Sequence, residues 1–571
     1  MIRHPAALEY LAVLVLAALL ALAYLRWALW PSSRLPRFRV RVMRLRLALR
    51  LHPGRGHASV AELHLRWGRL AAWRRSGRIR RSLGTWQRLC HPGEHSVFLG
   101  RAQHRHGLRV PLEEHGLIIA PPRAFKTALL ADVVLGYPGP VISTTTKHDV
   151  FDLTSGVRAQ AGPVHVFNPQ GIGGVPSTFR WNPLEGCQDP AVAIRRADGF
   201  ANAIKAEGDN AFFQNAARAY LRAMFHAAAL AGGADMRLVS RWALTGTRGG
   251  AEPAEHILRR AGADSWADEL AQLRGAAERT AATNEMVMGQ ALGFMSDPAL
   301  AVAVLPVDGA GLDFAQFLRE RGTLYLIADS DHDESPLAPL FAALASEAHY
   351  VAALQGQASP GGRLDPPLLM ALDEIVQVCP CPVDKWCADS GGKGIQIITV
   401  AHGEAQLASR WGDHGRQVIL DTAGVKVVLS GVTDVRTLET FSKLCGDAAL
   451  QEHGEDRHSR HPVMSPEMIR QLPAGRGLVI RGGLSPVIAR VPRAWRNRAY
   501  RNARRRGCEV AALTAAPARA SLPRPAQPGL ASQPPAAARL RPARDGALVP
   551  GDREIADILP VGDVARPWRS R

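Results

Sequence analysis

The stretch "GLIIAPPRAFKTALLADVVL", residues 116–135, decides the fold, because it joins an apolar run to a helix-like segment through a short turn. Its middle part, "APPRAFKT", ends in Lys-Thr, as the phosphate-binding GxxxxGK[ST] loop does. Such a loop surrounds phosphate with backbone N–H groups, while its Lys reaches the outer phosphates and its hydroxyl holds a metal. Lys126 and Thr127 supply the last two groups, so the stretch predicts a nucleotide site.

Neither glycine of this loop pattern is present. Ala120 stands at the first glycine position, which is a small change, and Phe125 stands directly before the Lys. The backbone angles at the second position commonly disfavour a bulky side chain. The loop alone therefore leaves three interpretations open: a working site, a weakened site and a chance match.

A second stretch, "LLMALDEI" at residues 368–375, is an apolar strand that ends in Asp373-Glu374. In nucleotide hydrolases, one such carboxylate faces a magnesium-bound water and its neighbour faces the attacking water. The alternative is a buried strand that ends in a solvated acidic turn. The Lys-Thr loop followed by this acidic pair favours a site that hydrolyses nucleotide.

Short apolar runs alternate with helical segments after Pro111, which predicts an α/β fold with a mainly parallel sheet. Each run is bounded by Gly, Pro or polar residues, as buried central strands are. The predicted strands are residues 116–120, 139–144, 164–168, 322–328, 368–374, 395–401 and 425–431. Residues 189–306 are rich in Ala at helical spacing and predict an inserted all-α domain.

The chain has 571 residues, 47% of them hydrophobic, so it is long and apolar enough for several domains. Its 70 Lys and Arg against 51 Asp and Glu give a net charge of +19. This charge favours an anionic partner, although a basic tail that only solubilises the chain is an alternative. Seven cysteines without regular spacing argue against a secreted disulfide framework, and "CPCPVDKWC" lacks the second ligand pair of a zinc site.

Residues 6–30, "AALEYLAVLVLAALLALAYLRWALW", predict one transmembrane helix with its Trp residues in the interface. A cleaved signal peptide is the rival interpretation, but no small-residue cleavage site follows. Residues 34–50 contain many Arg and no acidic residue, which predicts that the large C-terminal part is cytoplasmic. Arg and Trp interleave over residues 66–86, a pattern that suits either anionic headgroups or DNA phosphates.

Together these stretches resemble the coupling proteins of type IV secretion and conjugation, the TraG/TraD group, over residues 117–495. Further similar stretches follow in the family's order: "VISTTTKHDVFDLT" (141–154), "VFNPQG" (166–171), "RWNPLEG" (180–186), "DNAFFQNAARAYLRAM" (209–224), "GIQIITVAHGEAQLASRWG" (394–412) and "LPAGRGLVIRGGLSPV" (472–487). The family consists of membrane-anchored P-loop ATPases related to ring-shaped DNA translocases. The resemblance implies a RecA-like P-loop NTPase domain, with the last stretch as a closing hairpin.

The resemblance also implies the role of each site residue, with ATP and Mg²⁺ as cofactors. The ATP-binding loop would consist of Ala120, Pro121, Pro122, Arg123, Ala124, Phe125, Lys126 and Thr127. Lys126 would contact the β and γ phosphates, and Thr127 and Asp373 would hold magnesium. Glu374 would orient the hydrolytic water, and Gln406 would sense the γ-phosphate. His402, where the family usually has Gln, either hydrogen-bonds a phosphate or is a structural histidine; no Arg can be matched to an arginine finger.

The domain boundaries follow from these patterns and from the resemblance. They are a transmembrane anchor (1–33), a basic membrane-proximal segment (34–110), the nucleotide-binding domain in two parts (111–188 and 307–495), the all-α insertion (189–306) and a disordered Arg/Pro/Ala-rich tail (496–571). The family commonly has two transmembrane helices, whereas one is visible here.

The resemblance implies a coupling ATPase that forms a homo-hexamer in the bacterial inner membrane and delivers DNA or a nucleoprotein to secretion channel proteins. A catalytically weakened coupling receptor is the first alternative, since both loop glycines are replaced. A double-stranded DNA translocase similar to FtsK is the second.

Overall fold

The computed structural model describes residues 56–204, 210–244, 246–275, 278–306, 311–329, 335–451 and 458–513. The predicted transmembrane helix and the Arg-rich residues 34–50 lie outside the described residues. Within these ranges no single helix is long and apolar enough to span a membrane. One pair of helical segments, Ala282–Ser296 and Pro298–Val304, meets that criterion only jointly and across a bend of 85°.

The described strands confirm all seven strand predictions and add the strands around them. Their bounds are β1 Ser96–Arg101, β2 Gly107–Pro111, β3 Gly116–Ile119, β4 Val141–Thr145, β5 Val164–Phe167, β6 Thr323–Ile327, β7 Leu368–Leu372, β8 Ile395–Ala401, β9 Val425–Leu429, β10 Asp447–Gln451, β11 His458–Pro462, β12 Arg476–Arg481 and β13 Val487–Arg490. The predicted closing hairpin is formed by β12 and β13, which pair antiparallel.

Eleven of these strands form one sheet in the order β2-β1-β13-β12-β9-β3-β8-β7-β4-β6-β5. The strands from β9 to β5 pair in parallel, and the remaining strands pair antiparallel. Side chains of the central strand β3 alternate between two cores: Leu117 and Ile119 face one, and Ile118 faces the other. Helices cover both faces, so the mixed α/β fold with a mainly parallel sheet is confirmed.

The α-helices of the described chain connect these strands. They are α1 Val60–Glu62, α2 Arg69–Ile79, α3 Thr85–Cys90, α4 Lys126–Gly136, α5 Asp149–Arg158, α6 Pro190–Ala201, α7 Asn210–Leu230, α8 Met236–Leu244, α9 Gly246–Arg260, α10 Asp264–Arg274, α11 Glu278–Leu292, α12 Pro298–Ala301, α13 Phe314–Arg319, α14 Ala338–Ala358, α15 Ile375–Val378, α16 Val383–Trp386, α17 Ser390–Lys393, α18 Glu404–Thr422, α19 Val435–Cys445, α20 Pro466–Arg470 and α21 Arg498–Arg505. Helices α6 to α12 follow one another between β5 and β6, and no described strand lies among them, as the all-α prediction expects.

The structure differs from the predicted organisation at two places. Strands β1 and β2 belong to the main sheet although they precede the predicted domain start at residue 111. Helix α21 lies within the tail that the composition predicts to be disordered from residue 496. Its buried Ala503, and the bond from Gly156 N to Glu509 O (3.1 Å), attach this segment to α5. Residues 514–571 lie outside the described residues.

Two buried histidines make the stability of the fold depend on pH. Burial lowers the pKa of His115 to about 4, and it lowers the pKa of His349 to about 4 as well. The Nδ1 atom of His115 accepts a hydrogen bond from Ile397 N (3.1 Å), which requires the unprotonated nitrogen. His349 stacks on Trp386 with ring centroids 4.2 Å apart. Both side chains are therefore neutral in the folded chain at neutral pH.

We expect the melting temperature of the full chain to fall as the pH is lowered from about 6.5 towards 4. An unfolded histidine takes up a proton near pH 6.5, whereas these folded ones do not, so stability present above that pH is lost below it. Thermal unfolding from pH 7.5 to 4.5 measures the effect. His349→Gln reduces the fall, and His91→Gln, at an exposed position, leaves it unchanged. Identical pH slopes for all three proteins would contradict this account.

Candidate functional site

The loop from Ala120 to Phe125 joins β3 to α4 at the carboxyl edge of the parallel strands. Within this loop, all of which the structure describes, positive φ occurs only at Arg123 (63°) and Phe125 (68°). Ala120 is fully buried and its N–H donates to Ala401 O at 3.0 Å, in line with the β3–β8 pairing. The missing first glycine therefore imposes no backbone strain. The missing second glycine does, because Phe125 adopts the left-handed conformation.

The ring of Phe125 is half-buried against a residue from a distant part of the chain. The Arg493 guanidinium carbon lies 5.0 Å from the centre of the Phe125 ring. A left-handed non-glycine residue costs roughly 1–2 kcal/mol. A cation over an aromatic ring contributes about 0.5–1 kcal/mol at an exposed position. The contact with Arg493 thus offsets part of the strain and holds the loop in the shape that glycine would otherwise allow.

Lys126, the first residue of α4, lies against the acidic pair at the end of β7. Its Nζ atom contacts Glu374 Oε1 and lies 3.7 Å from Asp373 Oδ1. Burial lowers the pKa of Lys126, and the negative charge of Asp373 opposes that change. Strand β8 separates β3 from β7, so the loop and the acidic pair meet because their parallel strands end at one edge. The structure therefore brings together the two halves of the predicted site.

The acidic pair is buried and held by the backbone. Burial raises the pKa of Asp373, and the charge of Lys126 opposes this. Thr144 Oγ1, at the end of β4, donates to Asp373 O at 2.8 Å. Glu374 has a φ of 47° and directly precedes α15, and its carboxylate contacts Lys126. Lys126 offsets only part of the cost of burying two carboxylates, and a divalent cation would supply further positive charge.

His402 and Gln406 also reach this edge. The Nδ1 atom of His402 lies 3.0 Å from Ala120 O, and its Nε2 atom lies 3.1 Å from Glu374 Oε2. Gln406 Oε1 accepts a hydrogen bond from His402 N at 2.8 Å. His402 thus links the loop to the acidic pair, and Gln406 fixes the backbone of His402. The half-buried ring of His402 lies at the site, where a phosphate contact and a structural role both stay predictions.

The remaining predicted residues complete the loop. Pro122 and Arg123 are exposed, Ala124 is buried, and Pro121 and Thr127 are half-buried. Three further residues contribute to the site without having been predicted: Thr144, Asp149, whose charge acts on both Lys126 and Asp373, and Arg493. The run "TTTKHD" (144–149), which begins in the last two residues of β4, is a signal for the first two, because it also marks the end of a parallel strand. No local pattern marks Arg493.

We expect Phe125→Gly to change the rate of ATP hydrolysis by less than about threefold. The backbone strain that glycine removes and the Arg493 contact that it loses are each about 1 kcal/mol, so they largely cancel. Glycine removes the left-handed strain but also removes the contact with Arg493 and adds freedom to the unfolded loop. Steady-state hydrolysis and nucleotide affinity measure the result. A rise of more than tenfold in turnover would mean instead that Phe125 weakens the site.

Comparisons with known proteins relate this chain to one family model and to several solved structures. Residues 367–474 match the family model described as the TraM recognition site of TraD and TraG. The conjugative coupling protein TrwB in its unbound form has a TM-score of 0.52 at 16% identity, over 69% of this chain and 88% of that chain. TrwB with the GTP analogue GDPNP has a TM-score of 0.52 at 18% identity, over 69% and 90%. TrwB with ADP and Mg²⁺ has a TM-score of 0.51 at 18% identity, over 69% and 89%.

A search of curated protein sequences finds no match to this chain. The family-model match and the structural matches nevertheless confirm the resemblance to the type IV coupling proteins. At this level of identity, the solved structures establish the fold: a mixed α/β protein with the large, mainly parallel sheet of TrwB.

Proposed function

We propose that this chain is a membrane-anchored coupling ATPase that recruits DNA or a nucleoprotein to a type IV secretion or conjugation channel and drives its transfer. One observation carries the proposal: Lys126 contacts Glu374 and lies 3.7 Å from Asp373 where β3 and β7 end. A loop lysine beside two buried carboxylates is the arrangement that phosphoryl transfer to water requires. The family-model match over residues 367–474 supports the coupling role.

The described residues fit ATP and Mg²⁺. The N–H groups of the first turn of α4 and the Lys126 ammonium suit phosphate, and the oxygens of Thr127 and Asp373 suit magnesium. When bound, the metal neutralises charge that develops on the phosphates. The solved TrwB structures hold GDPNP in one case and ADP with Mg²⁺ in another, which supports the same cofactors here.

Each residue has a task in hydrolysis. Phosphate oxygens compete with Glu374 for Lys126, so nucleotide binding separates the ammonium from the carboxylate. The released Glu374 then orients the attacking water and accepts its proton, and His402 Nε2 lies 3.1 Å from the other oxygen of this carboxylate. Gln406 positions His402 through its bond to the backbone N–H.

The catalytically weakened receptor is the second candidate, and it rests on the strain that a bulky Phe125 carries at the second glycine position. ATP hydrolysis by the full chain, with and without DNA, separates the two candidates. A motor hydrolyses ATP faster when DNA is present, whereas a receptor binds DNA without turnover. DNA binding without hydrolysis under any condition would reject the motor.

The partners follow from the same proposal. DNA contacts are sequence-independent, and the net charge of +19 supports them. The proposal also includes assembly into a homo-hexamer and contact with secretion channel proteins. The chain would cross the bacterial inner membrane once, with its large C-terminal part in the cytoplasm. The matched family description names TraM recognition, so we place a contact with a substrate-side protein within residues 367–474.

We expect DNA affinity to fall steeply with salt, because each phosphate that Lys or Arg neutralises releases a counterion. A protein with six or more phosphate contacts loses roughly a thousandfold in affinity between 50 and 200 mM salt. Fluorescence anisotropy of a labelled oligonucleotide at four salt concentrations measures the slope. A flat salt response would contradict phosphate-based binding.

A further inference from the structure

A cationic cavity of about 370 Å³ lies at the β1–β2 edge of the sheet. Strands β13, β12 and β9 separate β1 from β3, so this cavity is distinct from the nucleotide site. Its lining includes Arg69, Arg101, Arg105, Arg109, His64 and His106 around the ring of Phe98. None of the described lining residues carries a carboxylate.

The arginines are arranged around one aromatic ring. The guanidinium carbons of Arg101 and Arg109 each lie 5.8 Å from the centre of the Phe98 ring. Arg109 Nη1 donates to Ser96 Oγ at 3.3 Å and Arg101 Nη1 donates to Arg105 O at 3.2 Å. These contacts hold the positive charges close together with neutral partners only.

Two arginines outside the cavity, Arg78 and Arg80, differ from the cavity arginines because they form ion pairs with carboxylates. Arg78 lies 2.9 Å from Glu113, and Arg80 lies 2.7 Å from Asp365. Among the described residues, no carboxylate forms an ion pair with the four arginines of the cavity, Arg69, Arg101, Arg105 and Arg109. Burial is the main cause that lowers the pKa of Arg109 to about 10, and the positive charge of Arg69 lowers it further. The cluster is therefore a cationic site that an external anion would stabilise.

The surface beside the cavity indicates which anion. Leu70 lines the cavity and is 55% exposed, and Leu65, which follows the lining residue His64, is 50% exposed. Trp86, further along the same segment on α3, is 77% exposed. Exposed Leu and Trp interleaved with Arg are typical of segments that lie in a membrane interface. Contacts to a nucleic-acid backbone do not need exposed aliphatic side chains. Residues 60–89 also follow the predicted transmembrane helix of residues 6–30 along the chain.

We propose that this cavity binds the phosphate headgroup of an acidic phospholipid, while Leu65, Leu70 and Trp86 contact the membrane interface. Four guanidinium groups donate to the phosphate, and the apolar side chains bury area among the lipid chains. The proposal rests on the membrane anchoring proposed above, but not on ATP hydrolysis. It adds a specific lipid site that orients the sheet edge towards the bilayer.

Lipid binding by the purified full chain in detergent tests the proposal, without ATP present. Fluorescent phosphatidylglycerol is the probe, and fluorescent phosphatidylcholine is the zwitterionic comparison. The cavity variant combines Arg69→Gln, Arg101→Gln and Arg105→Gln, all at exposed positions, so that folding is preserved. The matched control removes the same charge at three exposed arginines elsewhere, with Arg260→Gln, Arg319→Gln and Arg505→Gln.

The expected result is that the cavity variant binds phosphatidylglycerol at least tenfold more weakly, while the control stays within about twofold of the unmodified chain. The cavity variant hydrolyses ATP at the rate of the unmodified chain, which separates the lipid site from the nucleotide site. Equal lipid binding by the cavity and control variants overturns the proposal. So does a cavity variant that loses only DNA binding, or inorganic phosphate that displaces the lipid at comparable concentration.

Discussion

Lys126→Ala should reduce ATP hydrolysis by the full chain at least about a hundredfold, as loss of one preorganised donor to the transition state does. The ammonium is the cation that contacts Glu374 and faces Asp373 at the carboxyl edge of the sheet. Without it, the phosphates lose a charge-assisted donor, and the buried carboxylates repel the nucleotide. Nucleotide affinity therefore falls together with turnover.

Steady-state hydrolysis and equilibrium binding of a fluorescent ATP analogue measure the two effects. Lys443→Ala is the matched control, because it removes an exposed lysine on α19 far along the chain. Thermal unfolding of both variants separates a lost contact from a lost fold. If Lys126→Ala hydrolyses ATP as fast as the control, the motor proposal is wrong.

Glu374→Gln should reduce turnover by about 10²–10⁴-fold, which is the usual range for a lost general base. Glutamine keeps the size of the side chain but cannot accept the proton of the attacking water. Removing a buried negative charge beside the phosphates also strengthens nucleotide binding. The variant therefore binds ATP at least as tightly as the unmodified chain and retains it without hydrolysis.

Single-turnover hydrolysis and nucleotide affinity distinguish this variant from Lys126→Ala, which loses both. Glu439→Gln, at an exposed position on α19, is the control for the change in charge. Normal turnover in Glu374→Gln would assign the base to another residue. His402, 3.1 Å from the same carboxylate, would then be the first to examine.

The departure from the usual loop pattern has different meanings at its two positions. Ala120 continues the strand and needs no glycine. Phe125 does need left-handed backbone, and it adopts that conformation at 68° with its ring against Arg493. A motif search that requires both glycines rejects a loop whose geometry a tertiary contact maintains.

Local sequence determined the seven parallel strands, the Lys-Thr helix start and the acidic strand end of this protein. Short apolar runs, turn residues and a helix start act within a few residues, and parallel strands that share an edge bring Lys126 and Glu374 together. Only the tertiary structure decided that β1 and β2 extend the sheet, that His402 links Ala120 to Glu374, and that Arg493 supports Phe125. These contacts join segments that are distant along the chain, so they depend on strand order and side-chain packing, which no local pattern encodes.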